Sequence, residues 1–214
     1  MATPIIVVGA GGHAAVVIEA LRAEGAFSPV AVVDPAPDAV AVLEVPVVGD
    51  DAMLPRLQGE GVTAAVIAIG ANALRQRLGE RLIQLGFLLP TIVHPSALVS
   101  PSAVLGCGVV VMARACIGAR AHVGAYAIIN TGAIVEHDCE IDAAAHIAPG
   151  VALGGCVHVG ARTLVGIGSA ARPGVRMAND VIIGAGSAVV CDISPSVIVA
   201  GIPARRLRRR ETPA

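Results

Sequence analysis

Residues 92–193 decide the fold, because they divide into 17 consecutive six-residue units without a single insertion. In order, the units read IVHPSA, LVSPSA, VLGCGV, VVMARA, CIGARA, HVGAYA, IINTGA, IVEHDC, EIDAAA, HIAPGV, ALGGCV, HVGART, LVGIGS, AARPGV, RMANDV, IIGAGS and AVVCDI. The second position is Val, Leu, Ile or Met except at Ala171, and the sixth is Ala, Ser, Thr, Val or Cys except at Ile193.

Such a repeat describes a short strand followed by a tight corner, with one large and one small side chain facing inward. Three sides close a triangular coil, and stacked coils complete each other's backbone hydrogen bonds and core. Glycine often follows the aliphatic position, where we expect a close approach of the neighbouring chain or a positive φ. The repeat therefore predicts a parallel β-helix.

The composition fits a chain with a large aliphatic core and only three aromatic residues. Of its 214 residues 55% are hydrophobic and 14% charged, and a net charge of −1 gives no argument for nucleic-acid or membrane binding. Residues 82–113 lack Asp, Glu, Lys and Arg, but prolines interrupt them, so we expect no membrane span. Five cysteines without CxxC spacing predict a reduced, cytoplasmic chain.

The first ninety residues alternate between strand and helix patterns. Strands are predicted at residues 4–8, 30–34 and 64–69, and helices follow the first and third of them. This alternation predicts a small Rossmann-like α/β domain with a parallel sheet. We therefore divide the chain into an α/β domain at 1–90, a β-helix at 91–193 and a C-terminal tail at 194–214.

A glycine-rich turn follows the first predicted strand. Gly9, Gly11 and Ala14 match the G-x-G-x-x-G/A pattern, and the acidic residue Asp34 lies about 20 positions further on. Glycines let the backbone approach a phosphate at a helix N-terminus, although a plain β–α turn has the same sequence. Since about ninety residues make only half of a dinucleotide fold, we expect one nucleotide and not NAD.

The hexad repeat resembles the left-handed β-helix of the hexapeptide acyltransferases. In that family three chains pack side by side and coenzyme A lies between neighbouring helices, which implies a homotrimer that uses acetyl-CoA. The turn Gly11-Gly12-His13 and the segment Glu136-His137-Asp138-Cys139 make the chain similar to the sialic acid O-acetyltransferase type. Within it, the chain looks like bacterial nucleotide-sugar N-acetyltransferases.

The resemblance implies acetylation of the 4-amino group of a UDP- or GDP-linked 4-amino-4,6-dideoxy sugar. O-acetylation of a sialic acid-type sugar remains an alternative, and a non-catalytic scaffold is a third hypothesis. His137 is expected to point outward between inward Val135 and Cys139. Histidine is the usual base near neutral pH, so His137 is the candidate general base, with the Asp138 carboxylate tuning it.

The resemblance also implies binding residues. Those expected against the nucleotide-sugar are Gly11, Gly12, His13, Asp34, Pro35 and Gly70, and those expected against acetyl-CoA are His146, Ile167 and Ala185. A backbone N–H near Gly155 is a candidate oxyanion donor in the cofactor site. The segment from Ala200 to Arg205 resembles the family's ending near the adenine of coenzyme A. The following arginines either meet its phosphates or only solubilise the tail.

We expect no metal ion in this protein. His122, Glu140 and His158 share one hexad column, as the metal-binding histidines of some β-helices do. Coils about 4.8 Å apart would separate the two histidines by about 10 Å. One Zn²⁺ with bonds of about 2 Å cannot bridge that distance.

Overall fold

A computed structural model describes residues 2–207. The predicted roles of Arg208, Arg209 and Arg210 lie outside the described residues. The elements before the repeat are β1 (Thr3–Val8), α1 (Gly12–Glu24), β2 (Phe27–Val33), β3 (Ala41–Val42), β4 (Val45–Pro46), a 3₁₀-helix (Asp51–Met53), α2 (Leu54–Gly59), β5 (Ala64–Ile67) and α3 (Asn72–Gln84).

The N-terminal domain is a three-stranded parallel sheet in the order β2-β1-β5. Ile5, Ile6 and Val7 in β1 are fully buried, as expected of a β-branched run in the middle of a sheet covered on both faces. The predicted strands and helices are confirmed, whereas the β3–β4 hairpin and α2 were not foreseen. None of the helices in residues 2–207 combines the length and apolarity that crossing a membrane requires.

Over residues 92–193 every hexad begins with a two-residue strand. These strands are β6 (Ile92–Val93), β7 (Leu98–Val99), β8 (Val104–Leu105), β9 (Val110–Val111), β10 (Cys116–Ile117), β11 (His122–Val123), β12 (Ile128–Ile129), β13 (Ile134–Val135), β14 (Glu140–Ile141), β15 (His146–Ile147), β16 (Ala152–Leu153), β17 (His158–Val159), β18 (Leu164–Val165), β19 (Ala170–Ala171), β20 (Arg176–Met177), β21 (Ile182–Ile183) and β22 (Ala188–Val189). Beyond the repeat lie β23 (Ile198–Ala200) and β24 (Arg205–Arg206).

Parallel pairing joins each strand from β6 to β19 to the strand one full coil further on. Ile117 pairs with Val135, and Val135 pairs with Leu153, so the register advances 18 residues per coil. The pairing produces three flat faces, which are β7-β10-β13-β16-β19-β22, β8-β11-β14-β17-β20, and a third running from β6 through β9 and β12 to β21 and on to β23-β24. The predicted triangular parallel β-helix is confirmed.

The interior of the β-helix is filled by alternating large and small side chains. Val135, Ile141 and Ile147 at second positions and Ala133 and Ala145 at sixth positions are at most 1% exposed. Fully burying a Val or Ile side chain contributes about 1.5–3 kcal/mol. Since each coil adds several such side chains, the stacked coils form one continuous core that needs no aromatic rings.

Glycine after the aliphatic position is required by close packing between coils. A Cβ on Gly124 would lie 2.8 Å from the nitrogen of Ala143 and 2.9 Å from the carbonyl carbon of Asp142. Left-handed backbone occurs instead at the fifth position, where Arg120 and Asp138 both have φ of 57°. The close approach of the next coil therefore explains the glycines at the third position of the hexad. Positive φ occurs two residues later, at the fifth position.

Gly124→Ala should lower the free energy of unfolding by about 1–3 kcal/mol, because the new methyl group meets backbone that cannot move aside. Gly59→Ala is the matched control, since no atom lies within 4 Å of its Cβ position at the end of α2. Chemical denaturation of both variants measures the difference. Equal stability of the two variants would contradict this explanation of the third-position glycines.

Candidate active site

The His137 corner is the column of residues 119–120, 137–138 and 155–156, which occupy equivalent places in successive coils. His137 follows β13 and its side chain is 55% exposed. Its Nδ1 lies 2.7 Å from Oδ2 of Asp138. The structure thus brings together the two residues expected to form the catalytic pair and leaves the rest of the imidazole accessible.

Asp138 is held by Arg120, a residue that the sequence analysis did not single out. Arg120 donates from Nε to Oδ1 at 2.7 Å and from Nη2 to Oδ2 at 2.8 Å. These bonds, followed by the one to His137, lower the pKa of Asp138 to about 2. An ionised carboxylate only accepts hydrogen bonds, so Nδ1 of His137 carries the proton and Nε2 is free to accept one.

Gly155 lies against the imidazole of His137. A Cβ at position 155 would be 2.6 Å from both Cε1 and Nε2, so only glycine leaves the ring in this place. The backbone N–H of the next residue, Cys156, donates to the carbonyl oxygen of His137 at 2.9 Å. The residue expected to help with the oxyanion is therefore placed beside the nitrogen that would take the proton.

The same corner holds one group of side chains of the kind that bind metals. Ligand atoms of His137, Asp138 and Cys156 lie within 4.8 Å of one another. The Asp138 carboxylate, however, already accepts two hydrogen bonds from Arg120 and one from His137. The contacts describe a hydrogen-bonded cluster of Arg120, Asp138 and His137.

The column expected not to hold a metal has the register that the repeat predicts. His122 pairs with Glu140 and Glu140 with His158 on the five-stranded face. The ring nitrogens of His158 are both engaged, with Nε2 at 2.9 Å from Asp142 and Nδ1 at 2.7 Å from Arg176. Both ring nitrogens of His158 are therefore already engaged by side chains of this chain.

The glycine-rich turn lies at the carboxyl edge of the N-terminal sheet. Asp34 fixes it, because its Oδ2 accepts from the Ala10 N–H at 2.8 Å and its Oδ1 from the Ala36 N–H at 2.9 Å. Gly11 is the N-cap of α1 without a side-chain cap, so Gly12 opens the helix with its backbone accessible. A cavity of about 120 Å³ beside this turn is lined by residues that include Gly9, Asp34, Pro35 and Ile69.

Arg75 joins the two domains and was also missed by the sequence analysis. Its side chain is 1% exposed, and it donates to the carbonyl oxygens of Tyr126 and Ala144 in the β-helix at 2.8 Å each. Within its own domain it donates to the carbonyls of Ile69 and Gly70 at 3.0 Å. Burial lowers its pKa to about 10, so it stays charged at neutral pH.

A sequence signal for Arg75 existed, because it shares the buried helix face of Gly79 and Leu82 in α3. Arg75 lies four residues before Gly79 and seven before Leu82, and this spacing places all three on the same side of the helix. Gly79 itself packs on Tyr126, whose ring carbons would lie 2.6–2.8 Å from an added Cβ. A charged side chain on the apolar face of a helix indicates a buried hydrogen-bonding partner, and here that partner is the backbone of the β-helix.

Two of the predicted site histidines lie near Arg75. His13 has a buried Nε2 with no hydrogen-bond partner in the described part of the chain, and burial together with Arg75 lowers its pKa. Nε2 of His146 lies 3.1 Å from Nδ2 of Asn130. Burial, then Arg75 and His13, lower the pKa of His146 to about 4. Both rings are therefore neutral near pH 7.

The two remaining predicted cofactor residues lie away from His137. Ile167 and Ala185 lie one coil apart at another corner of the triangular β-helix. At this corner the N–H of Gly186 donates to the Ile167 carbonyl at 2.8 Å. The Ile167 side chain is 60% exposed. Within one chain, the predicted base and this part of the predicted cofactor site are thus at different corners.

Arg75→Met should destabilise the protein by about 2–5 kcal/mol, because it leaves several buried carbonyl groups without donors. Arg77→Met is the matched control two residues further along α3, where the side chain is exposed and the expected change is within about 0.5 kcal/mol. Chemical denaturation measures both. An Arg75 variant as stable as the Arg77 variant would show that the junction does not depend on this cation.

The comparisons with known proteins cover both domains. Residues 4–82 match the family model described as the PglD N-terminal domain. The chain is 48% identical to the perosamine N-acetyltransferase PerB from Caulobacter crescentus, solved in complex with CoA and GDP-perosamine, with a TM-score of 0.91 over 96% of this chain and 97% of that one. A variant of that enzyme in which one histidine is changed to asparagine was solved with the same two molecules.

A second relative is the acetyltransferase domain of PglB from Neisseria gonorrhoeae, solved with acetyl coenzyme A. It is 38% identical, with a TM-score of 0.92 over 97% of this chain and all of that one. WeeI from Acinetobacter baumannii, at 22% identity and a TM-score of 0.83, shares the fold. The full-length similarities to PerB and to the PglB domain show that the chain belongs to the hexapeptide-repeat family of acetyl-CoA-dependent nucleotide-sugar N-acetyltransferases.

Proposed function

We propose that this protein transfers an acetyl group from acetyl-CoA to the 4-amino group of a GDP-linked 4-amino-4,6-dideoxy sugar of the perosamine type. The choice of GDP as the carrier rests on the 48% sequence identity to an enzyme solved with CoA and GDP-perosamine. The similarity covers 97% of that enzyme's chain. A UDP-linked sugar of the same class is the alternative carrier. The proposed positions of the nucleotide and of the catalytic base rest on the contacts observed in the two domains.

The glycine-rich turn is the proposed binding site of the nucleotide. At the start of α1 the backbone N–H groups of Gly12 and His13 have no side-chain cap, and helix N-termini attract phosphate through free N–H groups and the helix dipole. Asp34 holds the turn in place by its bond to the Ala10 N–H. Nε2 of His13, which has no partner among residues 2–207, is a further polar atom that a ligand at this junction can satisfy.

His137 is the proposed base. The sugar amine attacks the thioester carbonyl carbon, the amine nitrogen loses a proton to Nε2, and the carbon–sulfur bond breaks to release CoA as the thiolate. Transfer of that proton to the sulfur gives free CoA and the neutral imidazole. The tautomer required for this role has its proton on Nδ1, which is the arrangement that the ionised Asp138 favours.

We further propose a homotrimer, because the proposed site is incomplete in one chain. The six-stranded face lies between the His137 corner and the corner of Ile167. Its outward residues are all apolar and form what we call the apolar face, which consists of Leu98, Cys116, Ile134, Ala152, Ala170 and Ala188. If three copies packed together through their apolar faces, the His137 corner of one chain would lie beside the Ile167 corner of its neighbour.

Ile134→Asp should therefore dissociate the assembly and abolish acetylation, since it places a charge in the middle of the apolar face. Val104→Asp is the matched control, because Val104 is 56% exposed at the equivalent hexad position of the five-stranded face. Light scattering gives the mass of each variant. A monomeric wild-type protein with full activity would contradict the trimer.

Turnover with chemically defined acceptors tests the function itself. We expect acetylation of GDP-perosamine with acetyl-CoA, weaker or no turnover of a UDP-linked 4-amino sugar, and none of a free sialic acid. His137→Asn should lower kcat by about 10²–10⁴-fold while calorimetry shows unchanged binding of the nucleotide-sugar. Asp138→Asn should cost less, because it removes the orienting carboxylate and keeps the base.

Preferred turnover of the UDP-linked sugar would replace the proposed carrier, and turnover of free sialic acid would indicate O-acetylation instead. Near-normal kcat in His137→Asn would move the base to another group. Each of these results changes a different part of the proposal, so the assay separates the carrier, the acceptor atom and the base.

A further inference from the structure

Arg120 makes the contacts that fix the geometry of the His137 corner. It lies one coil before Asp138 and binds both carboxylate oxygens, through Nε to Oδ1 at 2.7 Å and through Nη2 to Oδ2 at 2.8 Å. A two-pronged guanidinium–carboxylate pair defines the plane of the carboxylate as well as its position. Asp138 therefore has a single orientation, with both oxygens committed to the Arg120 side chain.

The oxygen that accepts from Nη2 is the same one that meets His137. Oδ2 lies 2.7 Å from Nδ1 of His137, so Arg120, Asp138 and His137 form one continuous chain of hydrogen bonds. Through this chain the direction of the guanidinium sets the direction of the imidazole. On the opposite side Gly155 leaves only enough room for the ring in this pose, with 2.6 Å to Nε2 from an added Cβ.

We propose that Arg120 is a positioning residue for the acetyl transfer, acting on His137 through Asp138; this inference rests on the proposed role of His137 as base. Its effect is to orient the imidazole so that Nε2 faces the acceptor amine.

The chain contains a second ion pair with the same construction. Arg162 donates from Nε to Oδ1 of Asp180 at 2.7 Å and also binds Oδ2 through Nη2, again 18 residues apart and at the fifth hexad position. The residue before Asp180 is Asn179, not histidine. A stacked arginine–aspartate pair is thus a recurrent way to join coils, and what distinguishes Arg120 is the oxygen shared with His137.

Several charged and titratable groups surround His137 at this corner. Besides Arg120 and Asp138 they are Glu136, whose Oε2 accepts from the His137 N–H at 3.3 Å, and the thiol of Cys156 within 4.8 Å of the cluster. The buried Cys139 thiol, whose pKa burial raises, lies behind them in the core. Removing Arg120 takes away the one cation among the described groups of this cluster.

The experiment compares Arg120→Ala, Arg120→Lys and the control Asp180→Asn in the acetylation assay. Arg120→Ala should lower kcat by about 10–100-fold, in the range of lost supporting contacts around a catalytic group, with KM for both substrates unchanged. Arg120→Lys keeps the positive charge but lacks the two fixed donors that hold both carboxylate oxygens, so it should not restore kcat.

Asp180→Asn should leave kcat and KM at wild-type values, and all three variants should keep the wild-type melting temperature, since exposed ion pairs contribute little to stability. The proposal is overturned if Arg120→Ala has wild-type kcat while His137→Asn is inactive. It is equally overturned if Asp180→Asn loses as much activity as Arg120→Ala. An active His137→Asn variant would instead refute the proposed base.

Discussion

The register of 18 residues per coil is the constraint on which the structure depends. Each strand from β6 to β19 pairs with the strand one coil further on, so a single inserted residue would shift all later side chains around the triangular β-helix. The same register stacks Arg120 below Asp138 and Gly155 above His137. The proposed catalytic corner is thus a consequence of the repeat, since three consecutive coils each supply one part.

The junction between the domains depends on a different interaction. Arg75 is a buried cation with no carboxylate among its partners in the described chain, and it is stabilised by carbonyl oxygens from both domains. Carbonyl groups carry only partial charges, so several are needed to replace the water that burial removes. Because the donors of one guanidinium reach both domains, the glycine-rich turn is held at a defined place on the β-helix.

Charge is arranged differently at the two sites. At the junction Arg75 supplies the positive charge, and the neighbouring His13 and His146 are kept neutral by burial. At the His137 corner the cation Arg120 is paired with Asp138, and the imidazole is exposed. An oriented histidine accessible to solvent suits proton transfer, whereas the buried ones suit packing and hydrogen bonding around a ligand.

The sequence by itself determined the β-helix and the α/β domain, because these follow from short periods. A strict six-residue period permits one register, whereas the choice of Asp138 over Glu136 as the partner of His137 came from the family resemblance. Arg120 and Arg75 were decided only by the tertiary structure. Their partners lie 18 residues away on the next coil or 51 and 69 residues away in another domain. Nothing in the local pattern of an arginine tells which distant oxygen it meets, since that depends on how coils stack and how α3 docks.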